Sequence, residues 1–228
     1  NLAAALKIFA DISTGGQNIP KVLIPEMIHI WNECHPTKPV ILHVEGDGVA
    51  EILQELFRTD VGSQIPVHIA HVSSQVEMEA VIEAKERRQN VTCEVTPHHL
   101  FTHEEEVEPL GGQGCVKPSI KHRDDMLFIR ANLNYVDMIA SDCAPHLKEE
   151  KEAENPAFGV TNHTPFMHLL FGAVEEGWMT LEDVYQKTVV APRARFNLPD
   201  TGRTSAQFDL SRAPDSVEEL ERLAAVRY

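Results

Sequence analysis

Side chains able to bind metal or carry protons recur at the ends of the apolar runs of this sequence. Lys7 lies in LKIF, His43 in ILHVE and His71 in HIAHV. Glu94, His98 and His99 fall in CEVTPHH, and Asp142 closes MIASD. Imidazole nitrogen and carboxylate oxygen are ordinary donors to zinc or a similar ion, and a catalytic site leaves one position open for water. Water so bound ionises near pH 7, which supplies hydroxide under neutral conditions. Lysine is the unexpected member, because an ammonium repels cations. Burial near metal depresses its pKa from about 10.4, and a neutral amine reacts with carbon dioxide to give a carbamate whose two oxygens can bridge two metals. Singly, each residue has a plainer reading. A lone strand histidine is more often a hydrogen-bonded core residue, a lone lysine belongs at an edge, and Ser-Asp after a strand is often a turn or cap. Recurrence at matching positions favours a metal site.

The elements that must position these residues follow a repeating order. The runs 5–9, 39–45, 66–72, 90–96 and 135–142 read as strands, continuous and apolar as in a parallel sheet covered on both sides. Segments 22–34, 48–58 and 74–88 read as helices, and Val76, Met78, Val81, Ile82 and Ala84 suit one helix face. Residues 97–122 read as irregular. Strand–helix alternation at this spacing indicates an α/β fold, either a barrel or a doubly wound sheet. In a barrel the carboxyl ends of the strands converge on one face. Beyond Asp142 the pattern predicts a loop, then helices over 164–177 and 180–190, the second opened by a capping box of Thr180 and Asp183. A Pro- and Gly-punctuated stretch with a short strand and a charged tail complete the chain.

Composition narrows the function classes. The 228 residues are 43% apolar, and 35 acids against 20 bases leave a formal charge of −15. Nucleic-acid and anionic-membrane partners need a basic surface, so neither is expected. No apolar run reaches membrane-span length and no signal peptide is visible. The four cysteines form no CxxC pair and no disulfide framework, which implies a reducing, cytoplasmic setting. Seven of the twelve histidines, 29, 35, 68, 103, 122, 163 and 168, have no spacing argument and are expected in surface or helix roles. Glu104 to Glu106 reads as a solvated face, Cys93 as a small buried hydrophobe, and Arg123 as a capping or pairing residue of its helix.

The phrases HIAHVSS, VTCEVTPHHLF, VKPSIKHRDDM and IASDCAPHLKEEK, in this order, resemble dihydroorotases of the amidohydrolase superfamily. The resemblance runs from Lys7 to about residue 210. It implies part of a TIM-type (β/α)8 barrel that starts near the fourth strand, with residues 1–200 as the C-terminal portion of the barrel. Residues 201–228 would begin an incomplete C-terminal extension or small β-rich region. It further implies two zinc ions bridged by carboxylated Lys7, with His43 and His71 on the second metal. Asp142 would bind the first metal and shuttle the proton. Lys117 and His146 would contact substrate, and Phe158 and Gly159 would belong to a loop that closes on the ring. The reaction implied is reversible hydrolysis of dihydroorotate to N-carbamoyl-L-aspartate in pyrimidine biosynthesis. A hydantoinase- or allantoinase-type cyclic amidase, and a catalytically inactive dihydroorotase-like assembly partner, are the alternatives. Expected partners are the small-molecule substrate, and either a second copy of the chain or aspartate carbamoyltransferase.

Departures from the family pattern accompany the match. The sequence contains no HxH, the pair with which the family opens its barrel and completes the first metal site. The expectation is therefore that three strands lie upstream and that this chain alone binds metal weakly and turns over little dihydroorotate. Some relatives bind a third metal through a cysteine, a glutamate and a histidine. Glu94 and His99 are present, but Ala70 occupies the cysteine position. Cys143 stands where many relatives have histidine.

Overall fold

The computed structural model describes residues 3–13, 16, 18–58, 62 and 64–199. The expectations for residues 201–228, and for a strand beyond residue 199, lie outside the described residues. Five strands, β1 (Leu6–Phe9), β2 (Val40–His43), β3 (Val67–Ile69), β4 (Val91–Val95) and β5 (Met138–Ile139), pair in parallel and in chain order. A doubly wound sheet reverses its strand order at a switch point. This sheet has no reversal, so of the two α/β architectures the barrel type is the one observed.

Helices connect the strands: α1 (Ile24–Cys34), α2 (Gly48–Leu56), α3 (Gln75–Glu86), then the short α4 (Pro97–Phe101) and α5 (Glu104–Val107), and α6 (Arg123–Ala131). After β5 come α7 (Lys148–Lys151), α8 (His163–Glu175), α9 (Leu181–Tyr185) and α10 (Ala191–Phe196). Register explains the core. Ile8, Leu42, Ile69 and Cys93 pair across β1 to β4 and are almost completely buried, with the core residues of α1, α2 and α3 in the same hydrophobic cluster. Cys93 is the buried hydrophobe expected, its thiol pushed up to about 12 by burial. The alternate row, Lys7–Ile41–His68–Thr92, faces the other way. Lys7 and Phe9 are exposed on that side, so the sheet is not covered on both faces along β1. β2 and β3 read as continuous because their inward residues His43 and His68 are buried as well.

Three elements depart from the expected pattern. β5 is shorter than the apolar run suggested, because Leu133–Tyr135 forms a 3-10 turn. Residues 97–122 hold α4, α5 and a 3-10 segment rather than irregular chain alone. The third is beyond the Thr180–Asp183 capping box, which forms as expected: α9 runs through a π turn (Gln186–Val190) into α10. Pro192 comes just after this π turn inside the continuous helical run, where it supplies no N–H to the helical ladder. From α10, Arg195 donates to Asn90 Oδ1 at 2.8 Å and to the Val67 carbonyl, which fastens this helix across the amino ends of β3 and β4.

Deleting most of a side chain from the sheet–helix core leaves a cavity as well as lost burial. Ile69, fully buried on β3, is the test position. Ile69→Ala is expected to lower unfolding free energy by about 2–5 kcal/mol, read from urea denaturation followed by circular dichroism.

Candidate metal centre

The carboxyl ends of β2 and β3 bring two imidazoles together. His43 is the last residue of β2, and His71 follows β3 in a positive-φ conformation (φ 39°). His43 Nδ1 and His71 Nε2 lie 2.8 Å apart, with the rings edge to face at 77°. Both side chains are buried. Burial, helped by the positive charge of Lys7, pushes His43 down to about 4 and His71 well below its ordinary 6.5. Neutral imidazole is the form a metal requires. The other two ring nitrogens, His43 Nε2 and His71 Nδ1, are buried without a hydrogen-bond partner. Two neutral rings whose Nδ1 and Nε2 meet 2.8 Å apart have the donor chemistry of a zinc-type site.

Glu45, two residues past His43, was not singled out by the sequence, although it lies in the same ILHVE phrase. Its Oε1 stands 3.8 Å from His43 Nε2 and 3.6 Å from Lys117 Nζ, and its Oε2 is 3.9 Å from Lys121 Nζ. It therefore faces both the histidine pair and two lysines.

Lys7 and Asp142 share the inward side of the sheet. Lys7 is reachable by water, yet the protein crowded beneath it lowers its ammonium below the ordinary 10.5, against the pull of Glu94 and Asp142. Asp142 is also reachable by water, yet the protein packed around it and repulsion from Glu94 raise it above its ordinary 3.8, with Lys7 opposing. Asp142 lies past the end of β5 with φ 43°, a strained conformation for a residue with a Cβ. Asn162 donates to the carbonyl of Ser141, and His163 Nε2 lies 3.0 Å from Ser141 Oγ, so the chain just before Asp142 is tied down. Among the described residues no group of three or more His, Cys, Asp or Glu stands close enough to hold a metal ion. The structure thus joins His43 to His71 but does not draw Asp142 into one cluster with them.

Glu94 and His99 are not brought together either. Glu94 Oε2 lies 3.1 Å from Nε2 of His68, whose Nδ1 is 2.9 Å from Thr92 Oγ1. His68 is thus a fully buried, paired residue rather than the surface or helix residue expected. His99 Nε2 donates to the Pro118 carbonyl at 3.0 Å, which leaves Nδ1 to accept from Thr96 Oγ1 at 2.8 Å. Neither ring nitrogen presents a free lone pair.

Lys117, His146, Phe158 and Gly159 do converge. Lys117 Nζ lies 5.7 Å from the centre of the Phe158 ring. His146 Nε2 donates to the Phe158 carbonyl at 3.0 Å. Cys143 pairs with Val160 in a parallel bridge, so its backbone joins the Asp142 segment to this loop. Gly159 has φ 151°, and a Cβ there would meet the Ala144 carbonyl at 2.3 Å. Lys151, unnoticed in the sequence, is buried and donates to the carbonyls of Cys115, Ala157 and Gly159 at 2.7, 2.9 and 2.9 Å. One ammonium thereby clamps the segments carrying Lys117 and Phe158. Lys151→Met strands three carbonyls and is expected to cost at least about 2 kcal/mol, measured by chemical denaturation.

His99 also sets a pH dependence. Burial holds it down to about 4 against an ordinary 6.5. The unfolded chain therefore binds the extra proton between those values, and stability, complete above about 6.5, falls as pH drops towards 4. The gap corresponds to about 3 kcal/mol. A His99→Gln variant is expected to show a flatter loss of stability between pH 7 and pH 4 than the parent chain.

No family model matches the chain. The multifunctional protein CAD of Squalus acanthias is 35% identical over 218 residues, 92% of this chain and 9% of that protein. The dihydroorotase of Methanosphaera stadtmanae is 32% identical over 148 residues, 64% of this chain and 34% of that enzyme. A solved dihydroorotase from Saccharomyces cerevisiae shares the fold with a TM-score of 0.72 at 17% identity, over 87% of this chain and 61% of that one. The chain spans about a third of the length of that archaeal dihydroorotase and under a tenth of that CAD protein. The five parallel strands are accordingly part of a TIM-type barrel. By sequence over most of its length the chain is similar to a CAD multifunctional protein and to dihydroorotases, and it shares its fold with a solved dihydroorotase.

Proposed function

We propose that this chain carries part of the active site of a metal-dependent cyclic amidohydrolase that interconverts dihydroorotate and N-carbamoyl-L-aspartate. The observation that carries the reading is the pair of buried, neutral imidazoles, His43 Nδ1 and His71 Nε2, converging 2.8 Å apart within a sequence similar to dihydroorotases. In this reading His43, His71, Asp142 and carboxylated Lys7 hold two zinc ions. Zinc, when bound, lowers the pKa of water to about 7 and polarises an amide carbonyl. Asp142 takes the proton released on attack and delivers it to the leaving nitrogen. Its raised pKa suits a group that must hold a proton between those two events. Lys117 and His146 bind the substrate, with the Phe158–Gly159 loop against its ring. Glu94 and His99, engaged with His68, Thr96 and Pro118, act in support of the site and not as ligands of a third metal.

Residues 1–200 serve in this proposal as the C-terminal portion of the barrel, completed by an HxH-bearing strand, with residues 201–228 opening a further region. The setting is the cytoplasm, and among the described residues no helix is long and apolar enough to cross a membrane. The similarity to a multifunctional protein favours work beside other enzyme domains, aspartate carbamoyltransferase or a second copy among them. It also supports a second reading, a dihydroorotase-like chain that assembles without catalysing.

In zinc-loaded protein that also carries the HxH-bearing strand, Asp142→Asn is expected to lower kcat for dihydroorotate about 10²–10⁴-fold with KM little changed. Hydrolysis of hydantoin or allantoin in place of dihydroorotate would replace the substrate assignment. Zinc binding by that HxH-bearing protein with no turnover of any of the three would favour the assembly reading.

A further inference from the structure

Glu77 is a buried carboxylate for which the metal site has no direct use. It stands in the first turn of α3, is 1% exposed, and meets only hydrogen-bond donors. Its Oε1 accepts from the backbone N–H of Gly46 at 2.8 Å. Its Oε2 accepts from the N–H groups of Ser73 and Ser74 at 2.6 and 3.1 Å, and the Ser73 hydroxyl lies 3.1 Å from Oε2 and 3.3 Å from Oε1.

Only one of these bonds, to Ser74, belongs to the capping box that starts α3. The others reach further. Gly46 belongs to the turn that follows His43, and Ser73 to the turn that follows His71. Gly46 adopts φ 57°, a turn conformation that aims its N–H inward. An ionised carboxylate offers about four acceptor positions, and here all are met by donors. Burial alone raises the carboxyl of Glu77, while the N–H groups of Gly46 and Ser73 favour its charged form.

We infer that Glu77 is a positioning residue: its carboxylate ties the turn after β2 to the turn after β3 and so keeps the ring nitrogens of His43 and His71 aimed at one point. The inference rests on the reading of these two histidines as metal donors. Without the tie, each turn is free to move with its own strand end, and the separation of the two nitrogens is no longer fixed.

Glutamine tests this closely, since it keeps the size of the side chain but turns an amide N–H₂ towards one set of N–H donors. Zinc affinity of Glu77→Gln, measured by competition with a chromophoric chelator, is expected to fall about 10–100-fold. Ser74→Ala removes the capping hydroxyl and leaves the Glu77 bonds in place. It is expected to lower the melting temperature without changing zinc affinity. Ser73→Ala, which removes one donor, should show a smaller loss in the same direction, and it decides the matter if Glu77→Gln does not fold. Folded Glu77→Gln protein that binds zinc as tightly as the parent would overturn the inference. A parent chain that binds no zinc would count against the metal reading alone. In that case ring ¹⁵N shifts of His43 and His71 in metal-free protein decide on Glu77. Loss of the shared hydrogen bond in Glu77→Gln supports the role, and its retention overturns it.

Discussion

Parallel pairing sets Phe9 beside His43 and carries the carboxyl end of every strand to one rim of the sheet. Everything chemical in the molecule depends on that register. A one-residue slip would turn each inward side chain towards the helices, placing His43 and Lys7 in an apolar layer and Ile8 and Leu42 on the open side. The helix-facing row of Ile8, Leu42, Ile69 and Cys93 prevents the slip, because exposing those residues forfeits about 25 cal/mol for each Å² of apolar surface. The core is therefore what aims the site.

Carboxylates then fix the turns that the strands alone leave free. Asp11, beyond β1, accepts from the N–H of Glu45, beyond β2. Glu77 joins the turn after β2 to the turn after β3, and Asp125, in the first turn of α6, accepts from Gln75 at the start of α3. Each tie runs between neighbouring strand–helix units. In the Phe158–Gly159 loop region Lys151 does the same with three carbonyls. Buried charges of this kind are costly unless fully hydrogen-bonded. Once bonded, they leave a turn a single arrangement in place of several.

Much of this was legible in the sequence because strand and helix periods differ and because a polar side chain in an apolar run is conspicuous. The parallel strands, the Thr180 capping box and the strand-end places of His43 and His71 are readable that way, while the pairing of the two histidines follows only from the resemblance. The ties were not. Glu77 in SQVEME and Lys151 in LKEEK look like ordinary solvated helix charges, since what distinguishes them is partners that lie far away in the sequence. His68 departs from its expected surface role for the same reason: Glu94 and Thr92, on the next strand, give it partners that spacing along the chain does not reveal. Nor did the run ending in Asp142 show that its strand closes early, which leaves this carboxylate outside the His43–His71 pair.

Charges of both signs gather at the rim. A net −15 repels anions at long range, yet Lys7, Lys117 and Lys121 gather at the strand ends, where Glu45 faces the last two. Lys7 and Lys117 help keep His43 neutral, since each disfavours an imidazolium beside it. The same cations can pair with an anionic ligand, in competition with Asp11, Glu45, Glu94 and Asp142 at the same strand ends. Under the proposed function, presenting unprotonated imidazole to a metal and receiving a carboxylate-bearing ring would both draw on the same cations. Field strength falls within about one Debye length, roughly 8 Å at physiological salt. This pairing thus acts on a ligand that has already reached the rim, and the acidic surface elsewhere leaves it intact.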